Sequence, residues 1–174
     1  GSKFRIRALC EAMIEENLNI FWWCQTQVRL IDEDLLKVMK KAGCIEIAYG
    51  VESGSDVMLE DMKKGIDVDV IRDVLKATDR ANIRITLNLL AGTPAETVDT
   101  LRETRDFLIA LNYINWASVP AIEFVVPLPG TELFDTAVAK GLIDDPETYV
   151  VEALAKMEKY SKSINMTQMS SEEF

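Results

Sequence analysis

The sequence predicts an α/β protein built as part of a TIM-like (βα) barrel, a fragment with about four parallel strands and helices outside them. Three observations predict this. Strand-like and helix-like stretches alternate, and their links are so short that the strands must run parallel, joined by right-handed crossovers. The strands also divide their residues by face. Ile83, Ile85, Leu87 and Leu89 alternate with Arg84, Thr86 and Asn88; Ile45, Ile47 and Val51 oppose Glu46, Gly50 and Glu52; Glu123 alternates with Ile122 and Phe124. An open sheet covered on both sides would be apolar on both faces, whereas a barrel with a polar lumen accounts for one polar face. Finally, three strand ends are rich in small and polar residues, and ligands of parallel α/β folds meet the C-terminal ends of strands.

The elements follow in order. Residues 3–17 form an amphipathic helix with Leu9, Ala12 and Met13 on one stripe. The bulky, β-prone run 20–28 is the first strand. Asp32 caps a helix whose first turn holds Glu33 and Asp34, whose end holds Lys40 and Lys41, and which Gly43 follows. A strand over 45–51 leads into a helical turn over 56–62, closed by Gly65. Asp67 caps the next helix, with Ile71, Val74, Leu75 and Thr78 buried. A third strand over 83–90 precedes a helix over 98–111, and a fourth lies between 118 and 126. The helix 132–140 stops at Gly141, a last helix spans 147–159, and the polar chain from 161 onward is expected to fray.

Composition removes several function classes. The chain has 174 residues, enough for one core, and its 19 Lys and Arg against 29 Asp and Glu give a net charge of −10. That balance speaks against nucleic acid, which needs a local excess of basic groups. No apolar run approaches the roughly 20 residues of a membrane span, and no signal peptide is visible. Histidine is absent, which excludes Ser-His-Asp and Cys-His catalysis and His-ligated zinc. Cys10, Cys24 and Cys44 form no CxxC pair and read as reduced, buried thiols of a cytoplasmic protein, not as metal ligands. The opening Gly1-Ser2 and the lack of an initiator Met mark a fragment.

The chemistry is expected at the three strand ends. In Gly50-Val51-Glu52-Ser53-Gly54-Ser55, glycines let a ligand approach the backbone, and the carboxylate suits hydroxyls or an ammonium group better than a phosphate. The same residues also read as an ordinary loop with Ser55 capping a helix. In Asn88-Leu89-Leu90-Ala91-Gly92-Thr93-Pro94-Ala95-Glu96 a turn precedes Glu96, which lies near the positive end of a helix. Pro127-Leu128-Pro129-Gly130-Thr131 is a rigid turn with Thr131 as N-cap.

Taken in this order, residues 4–143 resemble the second half of a radical S-adenosylmethionine (SAM) enzyme barrel. "AGCIEIAYGVESGSDVMLEDMKKG" is similar to the family's fourth strand and following turn, and "ITLNLLAGTPAETVDTLRET" to its fifth strand. "FVVPLPGTELFDTAVAKGLI" is similar to the sixth strand and helix of the branch that often carries an upstream cobalamin-binding domain. That branch includes anaerobic magnesium-protoporphyrin IX monomethyl ester oxidative cyclases and cobalamin-dependent methylases. The resemblance divides the chain into the C-terminal half of a barrel, residues 3–143, and a C-terminal helix with a polar tail, residues 144–174. It implies three cofactors for the parent protein: SAM, a [4Fe–4S] cluster held by an upstream CxxxCxxC loop, and, in that branch, cobalamin. It implies further that Glu52 and Ser53 contact the ribose or methionine part of SAM, and that Leu90 packs on adenine. By the same resemblance Gly92 lets the backbone come close, backbone around Val126 reaches the adenine edge, and Lys63 pairs with the methionine carboxylate. Two departures stand out: Asn88 replaces a usual glycine, and no CxxxCxxC is present.

The implied parent cleaves SAM to a 5′-deoxyadenosyl radical and acts on a small molecule, as an oxidative cyclase of a magnesium porphyrin or as a cobalamin-dependent methyltransferase. The fragment, lacking the cluster cysteines, is expected to be inactive. Gln25, Arg84 and Glu123 are candidates to face the substrate. Two other readings stay open: a non-radical barrel enzyme, disfavoured because no strand contains a lysine, and a non-catalytic binding module. The strand over 20–27, cut from its neighbour, is expected to make the fragment self-associate, edge to edge through this strand or by exchange of the helix over 3–17, with Phe21, Trp22 or Trp23 in the interface.

Overall fold

The computed structural model describes residues 2–112, 114, 120–155 and 164–174, with side chains outside the description at 152–155. Four parallel strands, β1 (Trp22–Thr26), β2 (Cys44–Glu52), β3 (Arg84–Ala91) and β4 (Ala121–Phe124), lie in the order β1-β2-β3-β4. Each strand adds beside its predecessor in the same direction. That is the progression of a barrel wall, whereas a doubly wound sheet reverses direction at a switch point.

The register sets out two faces. Trp23 pairs with Glu46 and Glu46 with Arg84; Gln25 with Ala48 and Ala48 with Thr86; Gly50 with Asn88 and Asn88 with Ala121; Leu90 with Glu123. These residues form the polar, lumenal face. On the opposite face Ile47, Ile85, Leu87 and Leu89 are buried under α2 (Glu33–Lys41), α4 (Val68–Arg80) and α5 (Val98–Ala110), packed with Leu35, Leu36, Met39, Ile71, Leu75 and Phe107. Burying each such side chain contributes about 1.5–3 kcal/mol, so the aliphatic face fixes the sheet.

Local signals set the helix ends. The side chains of Asp32, Asp67 and Thr131 accept from Leu35 N (2.9 Å), Val70 N (2.8 Å) and Phe134 N (3.2 Å). Gly43 follows α2 at φ +93°, and a Cβ there would lie 2.1 Å from the Ile20 carbonyl oxygen, so only glycine fits.

Several expectations shift. In α1 (Lys3–Glu15) the inward stripe is Ile6, Cys10, Met13 and Ile14, while Leu9 and Ala12 face solvent; positions 6, 10, 13 and 14 keep a tighter helical stripe. β1 is shorter than 20–28, because Val28–Leu30 turns into a 3₁₀ segment that buries Val28. After α3 (Asp56–Asp61), Lys63 rather than Gly65 takes the left-handed position that ends the helix, at φ +56°. Residues 118 and 119 of the expected fourth strand and 156–159 of the last helix lie outside the described residues.

The tail is the largest difference. Over residues 164–174 it packs instead of fraying: Met166 and Met169 are buried, and Gln168 N donates to the Glu96 carbonyl at 3.0 Å. Met166 joins Ala137 of α6 (Glu132–Ala139), Ile143 and Tyr149 of α7 (Pro146–Ala155) in a second small core. Methionine and phenylalanine spaced among polar residues supply apolar area that a polar average hides. Among the described residues no helix is long and apolar enough to cross a membrane.

β1 is the sheet's edge, and its outer side has no strand partner among the described residues. Trp22 is covered by the core and donates its indole N–H to the Ala42 carbonyl at 2.8 Å, but Phe21 and Trp23 are 79 % and 61 % exposed. We propose that the 174-residue chain self-associates through this edge. Sedimentation at high concentration should show a dimer or larger species that Trp23→Lys disperses; a strictly monomeric wild type would contradict it.

Candidate functional site

At the end of β2 the ladder slips. Gly50 pairs with Asn88, but Glu52 pairs with Leu89, with a bulge between them, and Glu52 adopts φ +71°, a left-handed conformation uncommon for any residue but glycine. Alternation alone predicts Glu52 on the lumenal face; the bulge pairs it instead with Leu89 of the helix-covered face, yet at its left-handed backbone the carboxylate still lies beside lumenal Gly50. A Cβ on Gly50 would lie 2.7 Å from Glu52 Oε1, so glycine at 50 leaves the space the carboxylate fills. Lys64 Nζ donates to that same oxygen at 2.7 Å, and the two side chains are only 26 % and 15 % exposed. Lys63 goes elsewhere. Its Nζ meets Glu132 Oε2 at 3.1 Å, with both side chains in solvent. The cation beside Glu52 is therefore Lys64, not Lys63. A cavity of about 250 Å³ next to it is lined by Gln27, Arg29, Gly50, Lys63 and Lys64.

Ser53 faces the protein. Its hydroxyl lies 3.0 Å from Thr104 Oγ1 and accepts from Ser55 N at 3.1 Å, while Gly54 N donates to Thr104 Oγ1 at 3.0 Å. A Cβ on Gly54 would come 2.6 Å from Phe107 Cβ, so the loop is held tightly against α5. Ser55 precedes α3 but makes no capping bond, and its hydroxyl is buried without a partner among the described residues.

At the end of β3, Leu90 is half-buried on the lumenal face opposite Glu123. Gly92 turns the chain at φ +91° and donates its N–H to Glu96 Oε2 at 2.7 Å. Glu96 is buried, and that burial pushes its carboxyl pKa up against the opposing pull of the Gly92 N–H. Its expected place at the positive end of α5 is taken by Thr97, whose capping box with Thr100 starts that helix. Thr93 beside the turn keeps a buried hydroxyl without a partner among the described residues. Val125 N donates to the Ala91 carbonyl at 2.9 Å, which carries the ladder to half-buried Val126.

The fold thus brings Glu52, Leu90, Gly92 and Val126 to one end of the sheet and adds Lys64 and Glu96. Only the fold separates Lys64 from Lys63, and Glu96 was visible solely as a helix-start residue. Gln25, Arg84 and Glu123 lie on the lumenal face; Arg84 and Thr86 hold Glu46, at 3.5 and 3.0 Å. Cys10, Cys24 and Cys44 lie in or against the main core, and among the described residues no group of His, Cys, Asp or Glu could hold a metal ion.

The sequence profile of the Radical SAM superfamily matches residues 3–108. The chain belongs to that superfamily. Its enzymes use SAM and a [4Fe–4S] cluster. This radical SAM chain is 30 % identical over 129 residues to an uncharacterized methyltransferase of Pyrococcus horikoshii, covering 74 % of the chain and 27 % of that protein. It is 28 % identical over 144 residues to the anaerobic magnesium-protoporphyrin IX monomethyl ester cyclase of Rubrivivax gelatinosus, covering 80 % and 25 %. The chain thus spans about a quarter of the length of these curated relatives. Its fold is similar to that of TsrM, a radical SAM methyltransferase of Kitasatospora setae solved with tryptophan and a SAM analog, at TM-score 0.61 and 20 % identity, covering 70 % of this chain and 24 % of that one. The same protein has also been solved with cobalamin and a [4Fe–4S] cluster, there at TM-score 0.58 and 20 % identity, covering 67 % and 23 %.

Because the raised pKa of Glu96 favours its protonated form in the folded state, its contribution to stability is fully present below the ordinary glutamate pKa of about 4.3 and is lost as pH rises through the raised value. Glu96→Gln, which keeps an acceptor for Gly92 N, should flatten that decline. Urea titrations across this window check it; parallel pH profiles for variant and wild type would contradict it.

Proposed function

We propose that this chain forms the SAM-holding half of a radical enzyme barrel, with the cofactor lying across the C-terminal ends of β2, β3 and β4. The observation that carries this reading is the shielded Glu52–Lys64 pair, held at a strand end by a left-handed glutamate over a glycine. The methionine end of SAM is a zwitterion and its ribose carries hydroxyls, so a paired cation and carboxylate complement it. In this reading Lys64 receives the carboxylate, and Glu52 accepts from the ammonium group or a ribose hydroxyl. Leu90 offers the apolar surface for adenine, and Gly92 and the backbone at Val126 come close to its edges. The Thr93 hydroxyl, without a partner among the described residues, is a further polar group beside that turn.

The three cysteines of this chain do not fit a cluster. They lie in or against the core, without the CxxxCxxC spacing. When bound, the cluster and SAM together supply a 5′-deoxyadenosyl radical. This chain's part is to bind, orient and shield. The substrate is a small molecule in the lumen, facing Gln25 and Glu123 first and the Arg84–Glu46 pair deeper. Two outcomes have support from named relatives: ring closure on a magnesium porphyrin, and methyl transfer with cobalamin in the parent protein.

In the full-length, cluster-loaded protein, Glu52→Ala and Lys64→Met should each weaken SAM binding by roughly 1–3 kcal/mol, the scale of a hydrogen bond to a charged group. Lys63→Met should leave it unchanged. Isothermal titration decides, and equal affinities for wild type, Glu52→Ala and Lys64→Met would sink the proposal. The 174-residue chain alone, after anaerobic reconstitution with iron and sulfide, should yield no 5′-deoxyadenosine; a stable cluster with that product would show that the cysteines here suffice.

A further inference from the structure

The segment 164–174 closes behind the Gly92 turn. Gly92 is fixed from one side by the Glu96 carboxylate, which accepts its N–H at 2.7 Å. The backbone carbonyl of that same Glu96 accepts from Gln168 N at 3.0 Å, so one residue ties the turn to the tail. On the other side Phe174 packs edge-on against Phe124, with ring centroids 5.6 Å apart and planes at 81°. A Cβ on Gly92 would meet Phe124 Cδ1 and Phe174 Cε2, each at 3.6 Å, and Val125 Cγ2 at 3.5 Å. The Phe124–Phe174 contact lies on the face away from the lumen. Phe124 follows Glu123 in β4 and pairs with Ala91, whereas Glu123 pairs with the lumenal Leu90.

The segment is itself anchored. Met166 is buried with Ala137 and Tyr149, and the Tyr149 hydroxyl donates to the Pro127 carbonyl at 3.0 Å, just beyond β4. Asn165 adds a local clamp: its Nδ2 donates to the Met169 carbonyl at 2.8 Å, and its Oδ1 accepts from Thr167 N at 3.0 Å. The tail therefore bears on the loops that follow both β3 and β4.

We propose that residues 164–174 act as a strap that pre-forms the adenine side of the SAM site, with Phe174 as its positioning residue for the Gly92 turn. A turn held in its binding shape need not be ordered by the ligand, and the affinity gained is the ordering cost avoided. Phe174 touches no substrate in this scheme; it acts through Phe124 and Gly92. The inference rests on the reading of the strand ends as the SAM site.

The test uses the full-length, cluster-loaded protein and its Phe174→Ala, Phe174→Tyr and Glu52→Ala variants. Phe174→Ala should weaken SAM binding roughly 3- to 10-fold, the size an edge-on aromatic contact carries. It should also speed hydrogen exchange at the Gly92 amide, while exchange at Ile85 and Leu87 in the core of β3 stays unchanged. Phe174→Tyr, which keeps the edge contact, should restore both. If Glu52→Ala weakens SAM binding but Phe174→Ala changes neither affinity nor Gly92 exchange, the strap is wrong. A loss of affinity without faster Gly92 exchange, or faster exchange at unaltered affinity, overturns it equally. If Glu52→Ala has no effect on SAM, the failure lies in the site reading, and Gly92 exchange still reports whether Phe174 braces the turn.

Discussion

The sheet is buried on one face only, and every functional feature of the chain depends on that. Ile47, Ile85, Leu87 and Leu89 lie under α2, α4 and α5, while Glu46, Arg84, Thr86 and Asn88 alternate with them on the lumenal side. A slip of one residue in any strand would exchange the faces, burying charges and exposing aliphatic side chains, so the register is held firmly. With the register held, Gly50, Asn88 and Ala121 form one row, and Leu90 and Glu123 the next. The site is a consequence of where those rows end.

At that end the regular geometry is broken in a few specific places. Glu52 and Lys63 are both left-handed without being glycine, a conformation that persists only where surrounding contacts hold it. The Lys64 ion pair holds Glu52, and the Glu96 carboxylate holds the turn at Gly92. These two contacts differ in kind. The first joins charges that a zwitterionic ligand can take over. The second is a buried support that a ligand has no reason to disturb.

The fold was legible in the sequence wherever the signal is local or strictly periodic. Asp32, Asp67 and Thr131 cap the helices expected of them, since an N-cap needs only its own side chain and the amide three residues on. Alternation in β3 gave its two faces because no bulge interrupts that strand. The readings that shifted concern longer-range geometry. Leu9 and Lys63 depend on which way a helix or a turn faces its neighbours, and one residue of offset reverses the answer. The Ser53 hydroxyl is engaged by Thr104, 51 positions away. The tail is held by Met166, Gln168 and Phe174, whose partners sit on elements no local pattern connects to it. The strand-end positions of Glu52, Leu90 and Gly92 could be read from alternation and from the resemblance, whereas the contact of Lys64 with Glu52 and that of Glu96 with Gly92 required the fold.

The central claim is that SAM lies across the ends of β2, β3 and β4 on the lumenal face. A structure of the full-length protein with SAM bound tests it most directly. The account predicts the methionine group against Glu52 and Lys64, with the adenine against Leu90 and the Gly92 turn. SAM found on the helix-covered face, or deep in the lumen beside Trp23 and Glu46, would contradict it.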